Sequence, residues 1–222
     1  MSAEILVVRR GTVPYAEAWE LQRELAKRRR REEIGDVLLL LEHPPVYTRG
    51  RRSRPEELPM GAAWYEAQGI EVLDTDRGGL VTYHGPGQLV AYPIVQLRGY
   101  GGDVHEYVRG LERTMTGALG RAGVQAGTIE GLTGVWVGTR KIGSIGLHVS
   151  RGVTTHGLAI NVNNDLQPFE WVVPCGIEGV AMTSLTRELG AEQDLAAFAA
   201  TVVDSYAEVF DREAVVDDSV AA

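Results

Sequence analysis

The sequence predicts an α+β fold, with helices packed on a mixed β-sheet in a single domain. Three observations carry this. Short apolar runs bounded by glycine and proline recur from residue 5 to residue 95. Two stretches, 103–123 and 195–210, place apolar residues at helical spacing. Between them, "GVWVGTRKIGSIGLHVSRGVTTHGLAINVNND" reads as three β segments joined by tight turns at 138–140 and 150–152, an antiparallel meander. With 222 residues, 44% of them hydrophobic, the chain can bury a substantial core.

In chain order, a strand is expected at 5–8. After Pro14 follows a helix, in which Tyr15, Ala18, Trp19, Leu21 and Leu25 recur on one face. The wholly apolar run 37–41 reads as a strand buried on both faces. Further strands are expected at 70–74, 80–83 and 89–95. Pro93, which has no N–H for a ladder, suggests that the last of these is an edge or a strand end. Asp103 is an N-cap with Glu106 three residues on, and Tyr107, Leu111, Met115, Ala118 and Leu119 form the apolar face of its helix. A helix at 183–189 with Gly190 beyond it precedes the one at 195–210. The domain is expected to span 1–212, with 213–222 a flexible tail and the part after about residue 180 a small satellite of the core.

Composition narrows the function classes. A net charge of −8 disfavours a broad grip on nucleic acid or an anionic membrane, and no stretch reaches the ~18 apolar residues of a membrane span. One cysteine allows no internal disulfide, so a reducing, cytoplasmic setting is expected. Two local basic patches stand against the acidic whole: "KRRRR" at 27–31, at a helix end, and "RGRRSRP" at 49–55, in a loop.

Three constellations are candidates for chemistry. "RGGLVTYHGPGQLVAYP" carries Gly78, Gly79, Gly85 and Gly87, which let backbone approach a ligand, but it has neither a Walker-type ending nor a dinucleotide fingerprint. "GTRKIGSIG" sets Lys141 just after a turn, beside small residues that leave room for a substrate. "WVVPCG" presents Cys175 between proline and glycine. A thiol with a reference pKa of about 8.5 is mostly protonated at neutral pH, so a nucleophilic Cys175 needs a neighbouring cation or base. Five histidines, His43, His84, His105, His148 and His156, are available, but their spacing is not that of a zinc site.

Taken in order, "LLEHPPVYTRGR", "RGGLVTYHGPGQLVAYP", "GVWVGTRKIGSIG", "THGLAINVNNDL" and "VPCGI" resemble the lipoyl(octanoyl) transferase family, the octanoyl-acyl-carrier-protein:protein N-octanoyltransferases of lipoate biosynthesis. The resemblance implies the biotin/lipoate protein ligase-like fold, with a larger mixed sheet, a smaller sheet and flanking helices. It implies Cys175 as nucleophile and Lys141 as general acid/base. It also implies an acyl tunnel lined by Arg77, Gly78, Gly79, Leu80, Val81, Thr82, Tyr83 and His84, by Ser144, Ile145 and Gly146, and by Gly157, Leu158 and Ala159. The implied donor is octanoyl-acyl-carrier protein, which brings its own phosphopantetheine. The implied acceptors are lipoyl domains of 2-oxoacid dehydrogenase E2 subunits and the glycine-cleavage H protein, and neither ATP nor a metal is required.

The chemistry is consistent with that assignment. An ammonium near Cys175 favours the thiolate, and the two titrate as a coupled pair. An oxyanion hole is expected from the Gly78/Gly79 region or from the peptide after Lys141. "RGRRSRP" is the candidate dock for an acidic carrier. The competing expectations are an ATP-dependent lipoate or biotin protein ligase, a transamidase drawing octanoyl from the H protein, and a non-enzymatic carrier or lipoyl-domain binding module.

Overall fold

A computed structural model describes residues 3–172 and 180–221. Eight strands form one mixed sheet in the order β11-β1-β2-β6-β10-β9-β8-β7. They are β1 (Ala3–Thr12), β2 (Asp36–Glu42), β6 (Gln88–Ile94), β7 (Gly127–Ile129), β8 (Leu132–Val137), β9 (Arg140–Ser150), β10 (Val153–Asn161) and β11 (Arg212–Val216). A second sheet, order β4-β3-β5, is made of β3 (Val46–Arg49), β4 (Glu71–Asp74) and β5 (Val81–His84). The helices are α1 (Tyr15–Arg30), α2 (Ala62–Ala67), α3 (Val104–Arg121), α4 (Leu185–Leu189) and α5 (Leu195–Phe210).

Period-two alternation divides the core. On β2, Leu38 and Leu40 face the layer containing Leu111 and Met115 of α3 and Val202 and Tyr206 of α5. Val37, Leu39 and Leu41 face the opposite layer, with Ala18 and Leu25 of α1. A strand covered on both faces reads as a continuous apolar run, which is why 37–41 is legible as one. The small sheet has its own aromatic core, in which Tyr47, Tyr65, Tyr83 and Phe169 meet. The capping expectation for α3 holds, since one Asp103 oxygen accepts from the N–H groups of His105 and Glu106 at 2.7 and 3.0 Å.

Three expectations need correction. Pro93 is not on an edge strand, because β6 runs between β2 and β10, although it does stand one residue from the end of β6. What Pro93 ends is one ladder: pairing of β6 with β10 stops at Ala91–Leu158, while pairing with β2 continues through Pro93–Leu38. The missing N–H is absorbed by a distortion of β10, where His156 takes a φ of +56° and donates its N–H to Gln22 Oε1 at 2.6 Å.

The 213–222 segment, expected as a flexible tail, instead supplies most of β11. This strand pairs in parallel with β1 at the sheet edge, and Val220 beyond it is buried. The segment after residue 180 is no satellite either, because α5 packs on α3 within the main core.

Candidate active site

A cleft of about 1300 Å³ opens between the two sheets. Its walls bring together Arg77, Gly78, Gly79, Leu80, Val81, Thr82 and His84 from the small-sheet side, and Lys141, Ser144, Ile145, Gly146, Gly157, Leu158 and Ala159 from β9 and β10. Tyr83, expected among them, does not line the cleft. Its ring packs instead against Tyr47 and Phe169, at centroid distances of 5.4 Å each.

The two walls are tied together. Gly78 donates its N–H to the Leu147 carbonyl at 2.8 Å. That N–H is therefore occupied, which removes it from the donors expected for an oxyanion hole. Arg77 is buried, and its guanidinium is held by Thr48: Nε donates to Oγ1 at 3.0 Å and Nη2 to the carbonyl at 2.5 Å. The basic loop joins the same wall, since Arg51 and Arg52 donate their N–H groups to the carbonyls of Arg77 and Gly79 at 3.0 and 3.2 Å. Arg52 and Arg54 are exposed and line the cleft.

Lys141 is 7% exposed and its backbone is hydrogen-bonded to residues 181 and 183. Its N–H donates to Ala181 and its carbonyl accepts from Thr183, both at 2.9 Å. Cys175 lies outside the described residues. Val172 and Val180, on either side of the segment that contains it, line a small pocket together with Lys141, Thr82 and Ser144.

Of a polar network at the cleft, sequence reasoning expected only His84. Tyr15, Tyr92, His84 and His156 all line it. Burial holds the His84 imidazole well below its usual pKa, so it is neutral, and its Nδ1–H donates to Gln88 Oε1 at 2.7 Å. His156 is likewise pushed down by burial, against the opposing pull of Asp76. The arrangement that satisfies its neighbours has Nε2–H donating to Asp76 at 2.7 Å and Nδ1 accepting from the Tyr15 hydroxyl at 3.1 Å. Burial raises Tyr15 to about 12, so that hydroxyl keeps its proton. Among the described residues, no group of three or more His, Cys, Asp or Glu is arranged to hold a metal ion.

The family model for the lipoyl protein ligase A/B catalytic domain matches residues 14–207. The chain belongs to this family. An octanoyltransferase of Chloroflexus aggregans is 50% identical over 204 residues, covering 90% of this chain and 92% of the relative. One from Rubrobacter xylanophilus is 50% identical over 201 residues, 90% of each. Among solved structures, the bipartite lipoate protein ligase of Thermoplasma acidophilum superposes with a TM-score of 0.72 at 17% identity, covering 100% of this chain and 91% of that one. The biotin protein ligase of Aquifex aeolicus gives 0.55 at 12%, covering 95% and 70%. For this lipoyl protein ligase A/B domain, those likenesses establish the shared fold of a large mixed sheet with a smaller one beside it. No helix among the described residues is long and apolar enough to cross a membrane.

Proposed function

We propose that the chain moves an octanoyl group from a carrier-protein thioester, through a thioester on Cys175, to the target lysine of a lipoyl domain, with Lys141 as general acid and base. The chain is an octanoyltransferase of lipoate biosynthesis, the activity its relatives are named for at 50% identity over 90% of its length. The observation that carries the mechanistic reading is the setting of Lys141. It is a buried lysine on a paired strand, it lines the large cleft, and its backbone is hydrogen-bonded to Ala181 and Thr183.

In the first half-reaction the Cys175 thiolate attacks the thioester carbonyl. The bond to the phosphopantetheine sulfur breaks, and that sulfur takes a proton from the Lys141 ammonium. In the second, the neutral target amine attacks the Cys175 thioester. Its proton passes to Lys141 as the C–N bond forms, and the thiolate leaves. One thioester replaces another and the amide step runs downhill, so neither ATP nor a metal enters.

Ser144, Ile145, Gly146, Gly157, Leu158 and Ala159 supply the wall for the acyl chain. Arg52 and Arg54 on the cleft wall, with the exposed Arg51 next to them in the chain, supply cations for an acidic carrier, and lipoyl domains, including the glycine-cleavage H protein, are the acceptors.

Intact-protein mass spectrometry with octanoyl carrier protein tests this. The expected result is a hydroxylamine-labile octanoyl adduct, absent in Cys175→Ser and chased onto apo lipoyl domain without ATP. Labelling of the domain from octanoate plus ATP, with no adduct, would make the chain a ligase and overturn the reading.

A further inference from the structure

Trp136 stands directly opposite Lys141 in the β8–β9 ladder, and both line the cleft. The ladder slips here: Val135 faces Gly143 and Trp136 faces Lys141, which leaves Ile142 as the extra residue. Ile142 is buried in the main core. Such a bulge redirects the side chains around it, and here it puts Lys141 across from an indole. The Lys141 Nζ lies 5.5 Å from the Trp136 ring centroid, inside the roughly 6 Å range of a cation–π contact.

Below the lysine, Gly134 takes a φ of +121°, and a Cβ there would stand 2.8 Å from Lys141 Cε and 3.3 Å from Nζ. The bare backbone thus forms a floor for the side chain. That floor is pinned from beneath, because the Gly134 N–H donates at 2.9 Å to Oε1 of Glu112, a buried carboxylate on α3.

The indole N–H of Trp136 is buried and has no hydrogen-bond partner among the described residues. A buried donor without an acceptor opposes folding, and a phenylalanine or leucine would fill the space without that cost. What tryptophan adds is the most electron-rich face for a cation.

We propose that Trp136 is a positioning residue that holds the Lys141 ammonium in the cleft through its indole face, over the floor made by Gly134. This rests on the reading of Lys141 as the acid and base of acyl transfer. A mobile ammonium reaches the leaving sulfur in few of its orientations, so holding it acts on turnover rather than on carrier affinity.

The test compares wild type, Trp136→Phe, Trp136→Leu, Trp136→Met and Lys141→Ala as full-length enzymes in steady-state octanoyl transfer across pH. Thermal melts check that each is folded. Trp136→Leu is expected to lower kcat about tenfold with KM for the carrier within about twofold, and to move the pH–rate limb set by the lysine toward lower pH. Trp136→Phe, which keeps a π face and drops the unpaired N–H, should hold kcat within about threefold and leave that limb in place. Trp136→Met repeats the loss of the ring with a flexible filler, so a packing defect peculiar to leucine does not decide the result. Equal losses in the phenylalanine and leucine variants, or wild-type kcat and pH profile in both leucine and methionine variants, would overturn the proposal. An active Lys141→Ala would overturn the underlying reading of the lysine, and this proposal with it.

Discussion

Gly157 on β10 packs against Pro93 on β6 so closely that a Cβ added to the glycine would stand 2.5 Å from the proline Cδ and would also strike the Ala91 carbonyl oxygen. Neither obstacle is a flexible side-chain end. Gly157→Ala is therefore expected to destabilise the fold by ~1–3 kcal/mol, measured by denaturant unfolding. The same methyl would sit beside the cleft wall, so weaker octanoyl transfer should accompany the loss.

Acid should weaken the fold through its buried imidazoles. His43 lies fully buried, with one ring nitrogen 2.7 Å from the Val13 carbonyl and the other 2.8 Å from the Tyr92 hydroxyl, and burial pushes its pKa from 6.5 down to about 4. Between those two values the unfolded chain binds more protons than the native one, so stability falls as pH is lowered through that window and is fully present above it. The contribution is ~3 kcal/mol if the whole shift is realised. His84 and His156 are lowered too and act in the same direction. Asp76, held low chiefly by the His156 hydrogen bond, keeps its contribution until the pH is lower still. Urea midpoints from pH 7 to pH 4 should show the slope, and His43→Gln should flatten it.

The end of the chain is part of the sheet. Ending it after Asp211 removes β11 from the edge of β1, the buried Val220, and the carbonyls to which Arg28 and Arg10 donate. A loss of ~2–4 kcal/mol is expected from the Val220 side chain and the ladder together, read as a fall in the midpoint of thermal or urea unfolding. An unchanged midpoint would mean that the segment behaves as the tail suggested by its sequence.

Tyr83→Phe should leave acyl-transfer kinetics within about twofold, since the ring packs in the aromatic core of the small sheet and does not line the cleft. Steady-state assays would check this, and a large change in KM for the acyl donor would place the residue at the site after all.

How much of this was legible depended on range. α5 occupies the 195–210 span given by its apolar spacing, and Asp103 announces α3, because helix signals are local. β3 was not legible: "VYTR" follows two prolines and pairs with strands that come far later in the chain. β11 was missed for a related reason, since a five-residue strand gains its stability from a partner about two hundred residues away. Pro93 signalled a lost hydrogen bond, but not which of its two neighbours would lose it. At the site, the glycine-rich segments and the lysine strand converge on one cleft. The Tyr15–His156–Asp76 network gave no sign, because contacts across 141 and 80 residues leave no spacing to read.

Lys141 is fastened through its own N–H and carbonyl to residues 181 and 183, and its strand pairs with β8 on the other side. Only its four side-chain torsions are left to be set, and Gly134 below and Trp136 across narrow those further. The entropy lost in fixing a long cationic side chain, roughly 2 kcal/mol for lysine, is therefore surrendered largely during folding. Each catalytic cycle begins with that ordering already done, and a substrate's binding energy remains available for bringing acyl group and acceptor together.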